Sequence, residues 1–194
     1  MPNSWSPDGQ LLAFNEINPI TGSDIWVLQR GDKKAQPFLR TPFAEESARF
    51  SPDGRWLAYM SNESGRYEIY VQPYPGPGGK WQISTDGGTE PQWNRNGREL
   101  FYRSGENGTK LMAVEITTEA RFSAGKPKML FEGQYVLSAI TRTSAMMRTY
   151  DVSPDGRRFL MIKEIKEGER ATSVTQINIV LNWTEELKQR VPVK

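Results

Sequence analysis

Apolar residues in this chain come in short runs separated by polar turns, and the runs share one layout. Leu12-Ala13-Phe14, Leu57-Ala58-Tyr59, Leu100-Phe101-Tyr102 and Phe159-Leu160-Met161 each follow a tight turn, and each turn follows a large apolar residue. Within a run the apolarity is continuous rather than alternating, which predicts strands buried on both faces. About ten residues later comes a segment that starts polar: Asp24-Ile25-Trp26-Val27, Glu68-Ile69-Tyr70-Val71, Lys110-Leu111-Met112-Ala113 and Gln176-Ile177-Asn178-Ile179. Such alternation predicts a strand with one drier face. Pro37-Phe38-Leu39-Arg40, Trp81-Gln82-Ile83-Ser84 and Lys128-Met129-Leu130-Phe131 predict outer strands. Prolines 37 and 127 at or beside them suit edges that need not donate inward hydrogen bonds. A helical period is nearly absent.

The turns read Trp5-Ser6-Pro7-Asp8-Gly9, Phe50-Ser51-Pro52-Asp53-Gly54, Trp93-Asn94-Arg95-Asn96-Gly97 and Val152-Ser153-Pro154-Asp155-Gly156. In such a turn Ser51 can accept a backbone N–H, Pro52 presets φ, Asp53 tolerates the bridge region and Gly54 takes a positive φ. The prediction is a type I turn closed by a glycine bulge. An isolated Asp-Gly lacks the spacing that gathers six or more oxygens around calcium, so these aspartates read as turn residues. The turn glycines are 45, 43 and 59 residues apart. One hairpin turn per period in the low forties is the pattern of a β-propeller.

The expectation is therefore an all-β chain, with propeller repeats over residues 1–183 and blades near 1–41, 42–85, 86–132 and 133–183. The blades are of the four-stranded type, the last of them three-stranded because it lacks an outer strand. Residues 184–194 are expected to form a short helix and tail: Thr184 can cap it, Pro192 stops it, and Trp183, Leu187 and Val191 share one face.

The motif of an apolar residue, Ser-Pro-Asp-Gly, two variable residues, then apolar-Ala-aromatic, followed by Glu68-Ile69-Tyr70-Val71 and Gln82-Ile83-Ser84-Thr85-Asp86-Gly87-Gly88, resembles TolB-type β-propellers with WD-like repeats. The ending Asn178-Ile179-Val180-Leu181-Asn182-Trp183-Thr184-Glu185-Glu186-Leu187-Lys188 is similar to propellers linked to bacterial Ser/Thr kinases. The resemblance implies six or seven blades, a binding or sensing role, and an extracytoplasmic location. Four units fall short of that ring, so the chain reads as the C-terminal part of a longer protein whose upstream blades or domains are missing. The alternative is a compact four-bladed ring with one three-stranded blade.

The fourth unit carries roughly 15 extra residues before its turn, and insertions in such arrays map to one face, often the binding face. Tyr135, Leu137, Ile140, Met146 and Met147 fall there and could form an adaptable protein-binding loop. An extended outer strand packed on its neighbour is the other reading. Residues 163–170 mix both charge signs around Gly168 and read as a solvated hairpin tip.

Composition narrows the function classes. Twenty-five basic against 23 acidic residues give a net charge of +2, which carries no electrostatic footprint for nucleic acid or an anionic membrane. Apolar stretches are too short for direct membrane insertion. With no cysteine and no histidine, a thiolate nucleophile, a Ser-His-Asp relay and the usual zinc ligands are missing. Glu45-Glu46 and Glu185-Glu186 are sequence neighbours, which in a strand point to opposite faces and give no reason to expect a shared acid–base pair. The expectation is no enzyme, no metal and no cofactor, with a protein or peptide as partner. A substrate-gating propeller of a prolyl-oligopeptidase-like peptidase is the alternative.

Overall fold

The computed structural model describes residues 1–31, 33–119, 121–136 and 148–162. Contacts divide the chain into two units, Met1–Glu164 and Ile165–Lys194, and every described residue lies in the first. Strands β1 (Pro2–Trp5), β2 (Leu11–Asn18), β3 (Gly22–Gln29) and β4 (Ala35–Leu39) form one antiparallel sheet in that order. So do β5 (Glu45–Phe50), β6 (Trp56–Ser61), β7 (Glu68–Pro73) and β8 (Trp81–Gln82). A third sheet holds β9 (Thr89–Trp93), β10 (Glu99–Ser104) and β11 (Lys110–Thr117); on the free edge of β11 pair first β12 (Ser123–Ala124), then β13 (Lys128–Glu132). A hairpin of β14 (Tyr150–Val152) and β15 (Phe159–Met161) begins a fourth. Among the described residues the only helical turn is the 3-10 turn Glu106–Gly108.

Each repeated turn has the expected chemistry. Gly9, Gly54, Gly97 and Gly156 sit at φ between 68° and 72°. Ser51 Oγ accepts from the Trp56 N–H at 3.0 Å and donates to Asp53 Oδ1 at 2.6 Å. The other aspartate-bearing turns repeat this, with Ser6 and Ser153 bonded to Asp8 and Asp155. The Ser6 hydroxyl, ahead of the Gln10 N–H, holds the Asp8 carboxyl below its usual range. In the third copy Asn94 replaces serine, and its side chain reaches Glu99 at 2.7 Å.

The sheets stack by laying the first strand of one across the inner three strands of the one before. Thus β5 packs on β1, β2 and β3, while β9 packs on β5, β6 and β7. Alternate residues of one strand then serve two cores. Leu57, Tyr59 and Tyr70 pack with Ala13, Ile25 and Val27 of the first sheet. Ala58, Met60, Ile69 and Val71, from the opposite face, pack with Leu100, Tyr102, Val114 and Phe122 of the third. Phe101, Leu111 and Tyr150 open a core toward the hairpin. This is why apolarity in the second strands is continuous.

The first sheet departs from that rule. Its face turned from the second sheet bears Leu12, Phe14, Trp26 and Leu28, all only half-buried, and Trp5 beside it is 54% exposed. Two predicted strands differ in extent. The outer strand of the second sheet is only Trp81–Gln82; past it the Ile83 N–H still bonds Ile69 O at 2.7 Å, and the Ser84 hydroxyl accepts the Ile69 N–H at 2.7 Å. The third strand of the third sheet runs on from Lys110 to Thr117, where β12 covers its far end. The strand expected at 176–179, the hairpin tip at 163–170 and the terminal helix lie outside the described residues.

Polar side chains stitch the seams between sheets. Asn15 donates to the Glu45 carbonyl at 2.6 Å. Three residues after the shared leucine, Asn15, Met60 and Arg103 occupy one repeat position. Arg103 is fully buried and donates to Gly108 O at 2.6 Å, Thr149 Oγ1 at 3.2 Å, Val136 O at 3.3 Å and Tyr135 O at 3.4 Å. Thr149 in turn donates its N–H and hydroxyl to the Glu90 carboxylate, and Tyr150 its hydroxyl to Glu90 O at 2.9 Å.

Candidate binding cleft

The pairing of the first strand is irregular in each of the first three sheets just before its turn. Ser47 and Glu90 have φ of 57° and 53°, and the pairing register slips between Glu46 and Arg49 and between Phe101 and Arg103. Such bulges re-aim the side chains that follow. Here they set Arg49 and Gln92, with Ser4 of β1 at the matching position, toward a cleft of about 690 Å³. Arg49, Arg95 and Arg148 line it with Asn3, Ser4 and Gln92, and Trp5 and Trp93 stand at its sides.

Arg49 is tied to its surroundings through one nitrogen. Its Nη1 donates to Asn3 O and, at 3.2 Å, to Ala48 O, while Nε is buried without a partner. Burial, and next the nearby Arg148, push this guanidinium down to about 10, against the opposite pull of Tyr150, Glu90 and Asp151. The Trp93 indole N–H donates to Arg49 O at 3.1 Å and Ser4 Oγ accepts the Phe50 N–H at 3.1 Å, so the strand carrying Arg49 is fixed on both sides. Arg148 is 44% exposed and lies 3.4 Å from Asp151. With its amide oxygen toward Arg148, Gln92 accepts from Nη1 at 2.7 Å.

A second concavity of about 620 Å³ lies between the turns of the second and third sheets, lined by Trp56, Trp93, Arg98, Glu99, Glu115 and Glu119 among others. Two of its carboxylates have partners: Glu115 binds Lys128 at 2.7 Å and Glu99 binds Asn94. Among the described residues no three His, Cys, Asp or Glu side chains gather as metal ligands. Guanidinium groups only donate hydrogen bonds, so the arginine cleft can offer donors to an anionic group.

Of the residues expected to form a loop surface, Tyr135 is half-buried, 5.9 Å from the Phe131 ring, with the Arg103 guanidinium 5.8 Å from its ring centre. Val136 beside it donates its N–H to Ile162 O at 2.8 Å. Leu137, Ile140, Met146 and Met147 lie outside the described residues. The cleft arginines went unremarked in the sequence; aligning the repeats backward from each turn sets Arg49 against Ser4, Gln92 and Asp151. That polar column beside an apolar anchor is the signal that marks them.

No family model matches the chain. It is 34% identical over 68 residues to the Tol-Pal system protein TolB of Hydrogenovibrio crunogenus, covering 34% of this chain and 16% of that protein. Superposed on the crystal structure of TolB from Acinetobacter baumannii, it covers 85% of this chain and 37% of that one at a TM-score of 0.63, with 17% identity. The fold is that of a TolB-type β-propeller. This TolB-type propeller also resembles the uncharacterized peptidase YuxL of Bacillus subtilis, 26% identical over 106 residues, covering 50% of this chain and 16% of the peptidase. An oligogalacturonate lyase in complex with manganese gives a TM-score of 0.59 at 15% identity, over 86% of this chain and 45% of that one. The TolB-type chain thus spans well under two thirds of the proteins it matches. Among its described residues no helix is long and apolar enough to cross a membrane.

Proposed function

We propose that this chain is a non-catalytic propeller module that binds a protein or peptide segment in the cleft of Asn3, Ser4, Arg49, Gln92 and Arg148. What carries the reading is the bulged first strands, which mount polar groups on a rigid frame facing one concavity, where binding residues concentrate. We further propose that it is the C-terminal part of a larger, extracytoplasmic bacterial protein, TolB-like or linked to a Ser/Thr kinase. Supporting this are the half-buried Leu12, Phe14, Trp26 and Leu28, an apolar face that a preceding blade would cover as β9 covers the second sheet.

Panning a displayed random-peptide library on the purified chain tests the binding role. Enriched peptides that bind in solution and lose affinity in an Arg148→Gln variant are expected; failure of any peptide to survive selection would sink the reading. A second reading, a propeller that limits substrate access to a peptidase, is favoured by the likeness to the Bacillus peptidase. The complete coding sequence separates the two: a hydrolase domain on the same polypeptide supports gating, while a kinase or other regulatory domain supports sensing.

A further inference from the structure

We propose that the cleft recognises a carboxylate of an acidic peptide, gripped between Arg49 and Arg148; this rests on the peptide-binding reading above. Three of the seven polar side chains lining the cleft are arginines and none is acidic, in a chain whose basic and acidic residues number 25 and 23. The positive charge is therefore local. Among the buried carboxylates, Glu68 is met by Arg66 at 2.8 Å and Asp24 by Arg40 at 3.7 Å. Arg49 has no carboxylate within 4.0 Å among the described residues, and its buried Nε lacks any acceptor.

Burial and a like charge both work against a guanidinium, and an anion offsets both at once. Nη1 of Arg49 is occupied by backbone carbonyls and Nε is buried, so Nη2 is the donor left for a ligand. A carboxylate accepts a charge-assisted hydrogen bond from such a donor. Arg148, steadied by Gln92 and Asp151 and 44% exposed, stands beside it as the second donor. Trp5 and Trp93 supply flat walls for apolar neighbours of the acidic residue. In the second concavity Glu99 and Glu115 are bonded to Asn94 and Lys128.

Quenching of tryptophan fluorescence on titration with acetyl-triglutamate amide, acetyl-triglutamine amide and tripolyphosphate tests the inference on the whole chain. Saturable binding of triglutamate, weakened by added salt and by about tenfold or more in Arg148→Gln, is expected, since a hydrogen bond to a charged group is lost. Arg49→Gln should act likewise, Arg30→Gln at an exposed site outside the cleft should leave binding unchanged, and matched thermal melts establish that each variant folds. Equal binding of triglutamine, or indifference to Arg148→Gln, overturns the proposal. Saturation by tripolyphosphate with none by triglutamate overturns it in favour of a phosphate ligand. Selected peptides that are neutral and indifferent to Arg148→Gln would preserve peptide binding and refute carboxylate recognition. Arginine-dependent triglutamate binding without any selected peptide would do the reverse.

Discussion

Replacing Arg103 with methionine removes the centre of the seam between the third sheet and the hairpin that follows. The side chain is fully buried, and all four of its hydrogen bonds go with it, three of them to Tyr135, Val136 and Thr149 across that seam. The Glu90 carboxylate keeps the Thr149 N–H but loses the cation that faces it. Taking one partner from a buried charged network costs about 3–5 kcal/mol, because the remaining charge stays buried. With a urea slope of about 1–3 kcal/mol per molar, the lower figure moves the unfolding midpoint down by about 1 M or more. Arg103→Lys keeps the charge and loses the planar fork, so it should fall between the two. Urea titration followed by circular dichroism measures this, and hydrogen exchange should show the amides of 150–152 opening faster than those of 57–60. A methionine variant within about 1 kcal/mol of wild type would refute the account and assign the seam to the Phe101–Phe159 ring contact at 5.0 Å alone.

Glu45, 1% exposed, is raised from its ordinary 4.5 to about 6, first by burial, with Asp24 and Glu63 adding and Thr41 opposing. A raised value means that the protonated form suits the fold, so stability should decline as pH rises from 4.5 through about 6, by about 2 kcal/mol, and Glu45→Gln should flatten that slope in melts across this window. Three glycine-to-alanine changes separate conformation from space in thermal melts. Gly9, with φ of 68° and no atom near a new Cβ, should lose about 1 kcal/mol, while Gly31, open and without positive φ, should lose nothing measurable. Gly88→Ala puts a Cβ 2.4 Å from Ser84 Oγ and 2.7 Å from Ile69 Cγ1, and should lose about 1–3 kcal/mol. Ser51→Ala removes the acceptor of the Trp56 N–H and the donor to Asp53, at a cost of about 1 kcal/mol that equilibrium unfolding resolves.

The architecture was legible because it repeats. A turn that needs Ser, Asp and a positive-φ glycine leaves the same letters each time, and a strand wedged between two sheets must be apolar on both sides, as Leu57-Ala58-Tyr59-Met60 is. The short β12 left no such mark, since Ser123 and Ala124 are exposed and lack an apolar face. The cleft was harder still. Arg49 lies between Ala48 and Phe50, both core residues, and whether its side chain joins them or faces the cleft depends on the bulge at Ser47. A positive φ at serine has no signature of its own, unlike one at glycine. Bulges decide direction by one residue, and direction here is the whole difference between core and ligand surface.

Asn15, Met60 and Arg103 share one station of the repeat, yet one makes an amide bridge, one an oily contact and one an ionic knot. Modules that share one turn and one strand pattern thereby carry distinct locks along their flanks. A sheet offered the wrong neighbour would bury an arginine against a methionine, or an amide against nothing that can answer it. The order of the sheets is thus written into their seams, and segments swapped in order should assemble poorly even though every turn and strand in them is intact.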